Sequence, residues 1–285
     1  MTSPRKLRTL ALALVAVTAG LYWQTTRHDF VVIDETEKVT IKNKASFAMK
    51  TCNRRFGIGA DGILFVSRPA GVDLGMRLLQ PDGSEAEMCG NGIRCLVMYA
   101  VDAGYVKRGS VTVKTKAGVR EVTAKKSSVI VDMGKPQFAR SAIPALGTGD
   151  QFIENMHGVV VSAVNTGVPH AVIFGDEDDA DAHDLAVKIR FDPVFPLGAN
   201  VNFVKVDGNT LAVRTYERGV ERETHSCGTG AVAAAAVANQ MGLIGSRVAV
   251  KTLGGSLKVT LRKDRALMEG PAETVYKGIY FLKKG

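Results

Sequence analysis

The sequence predicts an α+β protein of two pseudo-symmetric lobes, each a strongly curved, mainly antiparallel sheet wrapped around one central helix. Three observations lead there. First, a Cys-Gly-polar-Gly turn runs into an apolar stretch twice, at Cys89 in "SEAEMCGNGIRCLVMYAVDAG" and at Cys227 in "THSCGTGAVAAAAVANQMG". Second, the two stretches "IRCLVMYAVDA" and "AVAAAAVANQM" are apolar nearly all round, and each ends at a glycine suited to a left-handed helix stop, Gly104 and Gly242. Third, the flanking segments alternate on a two-residue period, as strands do. A helix apolar on every side must be wrapped, and the available wrapping is strand.

Taken in order, "PRKLR" followed by "TLALALVAVTAGLYW" forms a basic flank and a short apolar run. Residues 1–20 are therefore expected to be an N-terminal extension: a signal segment, an anchor, or an over-extended start. The run falls short of the ~20 residues that a spanning helix needs. A competing reading makes Leu21 to Gln24 the first strand. The N-terminal lobe is expected over 21–135, with strands at "FVVID" and "GILFVSR" and a helix before "RRFGIGADG". The C-terminal lobe is expected over 136–273, with strands at "HGVVVSAV", "NVNFVKV" and "TLAVRTYE". The likeness continues beyond each central helix. "VTVKTKAG" at Val111 is matched by "VAVKTLGG" at Val248, and "MGKP" at Met133 by "EGPA" at Glu269. Such spacing is the mark of an internal repeat. The last strand, in "TVYKGIYFL", follows the second repeat and is expected to complete the first lobe over 274–285.

Composition excludes several classes. The chain of 285 residues carries a formal charge of +9, but its Lys and Arg are spread out and not interleaved with aromatics. A basic solvated surface explains this better than a nucleic-acid partner. Four cysteines (Cys52, Cys89, Cys95, Cys227) without a Cys-x-x-Cys pair do not form a disulfide framework or a zinc site, and no metal is expected. Cys52 and Cys95 read as packing residues.

The first turn of a helix offers unpaired N–H groups and partial positive charge, which favours a thiolate and holds a carboxylate. Glycines beside Asn91 and Thr229 would let the backbone approach a ligand closely. Two such corners facing each other across a cleft suit one task. One thiolate removes an α-proton, the opposite thiol returns a proton to the far face, and both helix starts stabilise charge on the α-carboxylate. That is racemisation or epimerisation of an α-amino acid without a cofactor.

At these residues the sequence resembles the diaminopimelate epimerase family. The resemblance is carried by "RRFGIGADG", "DGSEAEMCGNGIRC", "NTGVPHAV", "GANVNF" and "YERGVERETHSCGTGAVA", in the family's order and covering Tyr22 to the end. It implies a diaminopimelate epimerase-like fold and conversion of LL- to meso-diaminopimelate without metal or pyridoxal phosphate, for lysine and peptidoglycan synthesis. It further implies that Cys89 and Cys227 are the acid/base pair. Gly90, Asn91, Gly228 and Thr229 would hold the reacting carboxylate, and His170 and Glu217 would lie near the cysteines and the α-amino group. Asn200 and Arg218 would hold the substrate, the guanidinium being suited to a distal carboxylate. The family opens with Gly-Asn-Asp-Phe where this chain reads "TTRHDF", which puts His28 at the substrate rim. Gln80 stands where an Asn is common, Val168 replaces a frequent ligand-binding Asn, and His225 and Ser226 replace a small or apolar pair. These departures leave open a racemase for a different amino acid, or a non-catalytic exported relative that binds one. The expected partner is a small amino acid, with no membrane or nucleic acid for the folded lobes, and the resemblance implies a homodimer. Export would expose two facing thiols to oxidation, which argues for the cytoplasm if the chain is an enzyme.

Overall fold

The structure, a computed structural model, describes residues 10–17, 28–36, 41–175 and 179–280. Among these the chain forms eighteen strands and four α-helices. They divide into two compact units: unit 1 holds the described parts of 1–17, 28–129 and 272–285, and unit 2 holds 130–271.

Unit 1 runs β1 (Leu10–Val17), β2 (His28–Asp34), α1 (Lys44–Thr51), β3 (Gly62–Ser67), β4 (Leu74–Leu79), β5 (Glu85–Ala86), α2 (Gly90–Asp102), β6 (Gly109–Thr115) and β7 (Gly118–Ala124). The chain passes into unit 2 within β8 (Ser128–Asp132). There follow β9 (Ile153–Met156), β10 (Val159–Asn165), β11 (Pro169–Phe174), α3 (Asp179–Arg190), β12 (Asn200–Asp207), β13 (Thr210–Glu217) and β14 (Arg222–Thr224). Next come α4 (Gly228–Gln240), β15 (Arg247–Thr252), β16 (Gly255–Leu261) and β17 (Ala266–Pro271). The closing strand β18 (Glu273–Tyr280) belongs to unit 1. Residues 21–24, offered by the sequence as a first strand, lie outside the described residues. Residues 10–17, inside the stretch read as an extension, form β1, which pairs antiparallel with β2 and β18. No helix among the described residues is long and apolar enough to cross a membrane.

Both units use one connection scheme. In unit 1, β2 pairs parallel with β3 across α1, and β4 pairs parallel with β6 across α2. In unit 2, β11 pairs parallel with β12 across α3, and β13 with β15 across α4. Parallel neighbours need a crossover to bring the chain back to the same end, and a helix supplies it. Antiparallel hairpins such as β3–β4, β6–β7, β12–β13 and β15–β16 fill the rest.

Helices α2 and α4 each span 13 residues and are the centres of their units. Gly104 at φ 77° and Gly242 at φ 73° follow the C-caps Ala103 and Met241 and stop them in the left-handed region. Their surfaces differ in size. Helix α2 buries Ile93, Leu96, Val97 and Met98, whereas α4 offers Ala231, Ala234, Ala235 and Ala236 at the matching positions. Around α1, Phe47 and Ala48 pack with Val31, Ile33, Ile63 and Phe65.

Exchanging one matched pair tests this packing. Ala234→Leu should overfill unit 2 and cost about 1–3 kcal/mol, while Leu96→Ala should leave a cavity costing about 2–5 kcal/mol. Urea unfolding reads both; a stabilising Ala234→Leu would show that unit 2 has room to spare.

Candidate active site

Cys89 and Cys227 occupy the same place in the two units. Each is the N-cap of its central helix, with extended backbone (φ −141°, ψ 118° and φ −114°, ψ 113°). Each sulfur accepts a hydrogen bond from the third helical residue, Gly92 N–H or Gly230 N–H, at 3.4 Å. The thiol thus takes the place of the usual Ser or Asp oxygen, and an N–H aimed at sulfur favours its anionic form. Cys227 Sγ also lies 3.3 Å from Thr229 Oγ1. The loops entering the two helices are clamped alike. Ala117 N–H holds the Glu87 carbonyl at 3.1 Å, and Gly254 N–H holds the His225 carbonyl at 2.5 Å. In both cases the anchored carbonyl lies two residues before the cysteine.

The sequence assigned the turn glycines to close ligand approach; Gly92 and Gly230 have another reason. A Cβ on Gly92 would stand 3.0 Å from Leu64 Cδ2, and one on Gly230 would stand 2.5 Å from Asn202 Oδ1 and 2.9 Å from Thr215 Oγ1. Both glycines let the helix start settle onto its sheet.

Unit 2 carries most of the polar candidates. His170 on β11 sits beside Asn200 on β12 in the parallel register, and both are buried. Burial holds the His170 imidazole down to about 3, with the Arg218 charge adding to the effect and the Asn202 contact opposing it, so the ring is neutral at physiological pH. The Asn200 carboxamide is committed to the fold: Oδ1 accepts from Arg218 N–H at 2.8 Å and Nδ2 donates to the Pro169 carbonyl at 3.1 Å. In this way it braces the Pro169–His170 corner against the end of β13. The Arg218 Nη1 donates to the Leu197 and Gly198 carbonyls at 2.8 and 3.3 Å. Glu217 ends β13, where Oε2 accepts from Thr224 Oγ1 at 2.9 Å. Thr166, which the sequence did not single out, donates to the Thr229 carbonyl at 2.9 Å and ties the loop bearing Val168 to the α4 start. Gly228 and Thr229 open that helix.

In unit 1, Gly90 and Asn91 open α2 and are buried. Gln80 lies exposed just past β4, its N–H donating to the Ser84 carbonyl in the turn. The side chain of His28 lies outside the described residues. Arg94, also missed, is fully buried one turn into α2 and donates to the Gly90 carbonyl at 3.1 Å. Burial lowers it to about 10, so it stays charged at neutral pH. Cys52 caps the end of α1 and Cys95 lies inside α2. Burial pushes the Cys52 thiol up to about 12, and burial likewise raises Cys95, so neither offers a thiolate near neutral pH.

The two glycines make a test of the helix-start geometry. Gly230→Ala should cost more stability and more activity than Gly92→Ala, because Asn202 and Thr215 are held by hydrogen bonds whereas the Leu64 methyl can turn aside. Melting temperature and turnover measured on both variants check the order; equal losses would contradict it.

The family profile described as diaminopimelate epimerase matches residues 23–139 and 162–275. The diaminopimelate epimerase of Methanocella arvoryzae is 55% identical over 258 residues, covering 88% of this chain and 92% of that protein. The diaminopimelate epimerase of Clostridium perfringens is 39% identical over 264 residues, covering 89% and 96%. Among solved structures, a PhzF-family phenazine biosynthesis protein of Bacillus anthracis superposes with TM-score 0.69 at 15% identity, covering 97% of this chain and all of that one. A hydroxyproline epimerase of Agrobacterium vitis superposes with TM-score 0.66 at 16% identity, covering 97% and 94%. These two likenesses concern the fold alone. With matching motifs spread over nearly its whole length and a cysteine capping each central helix, the chain belongs to the diaminopimelate epimerase family.

Proposed function

We propose that the chain interconverts LL- and meso-2,6-diaminopimelate, with Cys89 and Cys227 as its two acid/base groups and no cofactor. The observation that carries this reading is the matched pair of N-cap thiols, each bonded by a first-turn amide of its own helix. Inverting an α-carbon needs a base on one face and an acid on the other. Two pseudo-equivalent thiols supply both, and they exchange roles when the reaction runs backwards. The α-proton is weakly acidic, so the negative charge spreading onto the α-carboxylate has to be met by donors. The amides of Gly90, Asn91, Gly228 and Thr229 are assigned to it.

His170 and Glu217 are assigned to the neighbourhood of the cysteines and the α-amino group. Asn200 and Arg218 position the substrate: Asn200 through the backbone it braces, Arg218 through the guanidinium nitrogens beyond Nη1. Gln80 and His28 contribute to the substrate rim. The product would serve lysine and peptidoglycan synthesis. A reducing compartment, the cytoplasm, keeps both thiols active, and we assign a homodimer.

Reduced protein incubated with LL-diaminopimelate should yield the meso form, read by chiral chromatography. Cys89→Ala and Cys227→Ala should each lower turnover by about 1000-fold or more, and the double variant should lose little beyond either single one, since the two act as a unit. Parent-like turnover in either single variant would refute the two-thiol assignment. Turnover of another amino acid in preference to diaminopimelate would refute the substrate.

A further inference from the structure

Beneath the Cys227 turn lies a buried polar chain. Thr215 on β13 and Asn202 on β12 are direct cross-strand partners, and Thr215 Oγ1 donates to Asn202 Oδ1 at 2.9 Å. The Asn202 Nδ2 donates to the Ala171 carbonyl at 2.9 Å and lies 3.0 Å from His170 Nδ1. His170, Asn202 and Thr215 are 0%, 0% and 3% exposed, so water does not compete for these bonds. At the corresponding register positions of unit 1, Phe30 precedes Gly62 as His170 precedes Asn200, and Leu64 faces Leu78 as Asn202 faces Thr215. The repeat has kept the geometry and changed the chemistry of one half.

The chain of bonds has one consistent proton arrangement. A carbonyl oxygen only accepts, so the Asn202 amino group must face Ala171 and its oxygen must face Thr215. The second amino hydrogen of Asn202 then points at His170 Nδ1, which has to be a lone pair. The ring proton is left on Nε2, a buried atom with no hydrogen-bond partner among the described residues. Gly230 seats this assembly against the thiol turn: its missing Cβ would lie 2.5 Å from Asn202 Oδ1 and 3.2 Å from Cys227 Cβ.

We propose that Asn202 and Thr215 are positioning residues that lock His170 as the neutral tautomer protonated on Nε2, so that it presents an N–H donor, never a lone pair, on the side away from Asn202. The lock gives the Cys227 turn a polar support, where Gly92 of the Cys89 turn packs against Leu64. Only the kinetic consequence rests on the reading of Cys227 as an acid/base, because the tautomer itself does not require it. When charge develops on bound substrate or thiolate, a fixed neutral donor needs no reorganisation and adds no competing base.

The test is the imidazole nitrogen spectrum of ¹⁵N-labelled full-length protein at neutral pH, together with kinetics. The native protein should show Nε2 protonated and Nδ1 as an acceptor. A proton on Nδ1, a doubly protonated ring or a rapid tautomer average would overturn the proposal, and this holds even if a variant fails to fold. In Asn202→Asp the carboxylate accepts where the amide donated, so the proton should move to Nδ1. There kcat should fall roughly 10- to 100-fold with KM moving much less. Unchanged kcat despite the moved proton would overturn the positioning role. The Nε2-protonated signature in a protein that does not turn over diaminopimelate would sink the proposed function and leave the lock intact.

Discussion

The arrangement depends on one interaction made twice: a first-turn backbone amide of a buried helix bonded to the sulfur that caps it. Everything nearby serves that contact. The capping cysteine must be extended, the third helical residue must be glycine so that the turn can approach the sheet, and the entering loop must be held by a hairpin amide. The stretches around Cys89 and Cys227 both meet these conditions. A Ser cap would make a better hydrogen bond and a poorer proton acceptor. On the proposed two-thiol reading, Cys trades capping strength for acid/base chemistry.

Duplication gives the chain two N-cap thiols, and divergence gives them different surroundings. Unit 1 sets Leu64 under its helix start and buries the cationic Arg94 in the first turn of α2. Unit 2 puts Asn202, Thr215 and a neutral His170 there and fills its helix with alanines. The fold tolerates both because Asn202 and Thr215 are bonded within the set, while an unpartnered amide in that position would cost about 1–3 kcal/mol. The L and D forms of the inverted carbon are diastereomeric, and so inequivalent, when bound in a chiral protein. Unlike supports for the two thiols fit that inequality.

Much of the fold was legible in the sequence because the repeat is spaced so regularly. The helix starts, the glycine stops and the strand alternation at "FVVID", "GILFVSR" and "NVNFVKV" all have their counterparts in the structure. What was not legible has physical causes. The apolar run at 10–17 reads as part of a signal segment, an anchor or an over-extended start, whereas in the structure it forms β1, paired with β2 and β18. Gly92 and Gly230 read as ligand-approach glycines, yet the crowding that requires them comes from side chains 28 residues away in sequence, Leu64 and Asn202. Asn202 was passed over because an alternating strand with polar residues on one face looks half-solvated, whereas here that face is dry. Aligning β12 on β3 inside the repeat would have revealed it, since Asn202 falls where Leu64 does. The role of Asn200 is likewise visible only in three dimensions, where both ends of its carboxamide are spoken for.

The central claim is that two different thiols handle the outgoing and incoming protons. The direct measurement is the fate of hydrogen in deuterated water at early conversion of LL-diaminopimelate. Two acid/base groups predict a meso product carrying solvent deuterium at the inverted carbon, while the remaining LL substrate keeps its protium. A meso product that retains the substrate's own hydrogen, or LL substrate that exchanges as fast as product forms, would mean a single group serving both faces and would contradict the account.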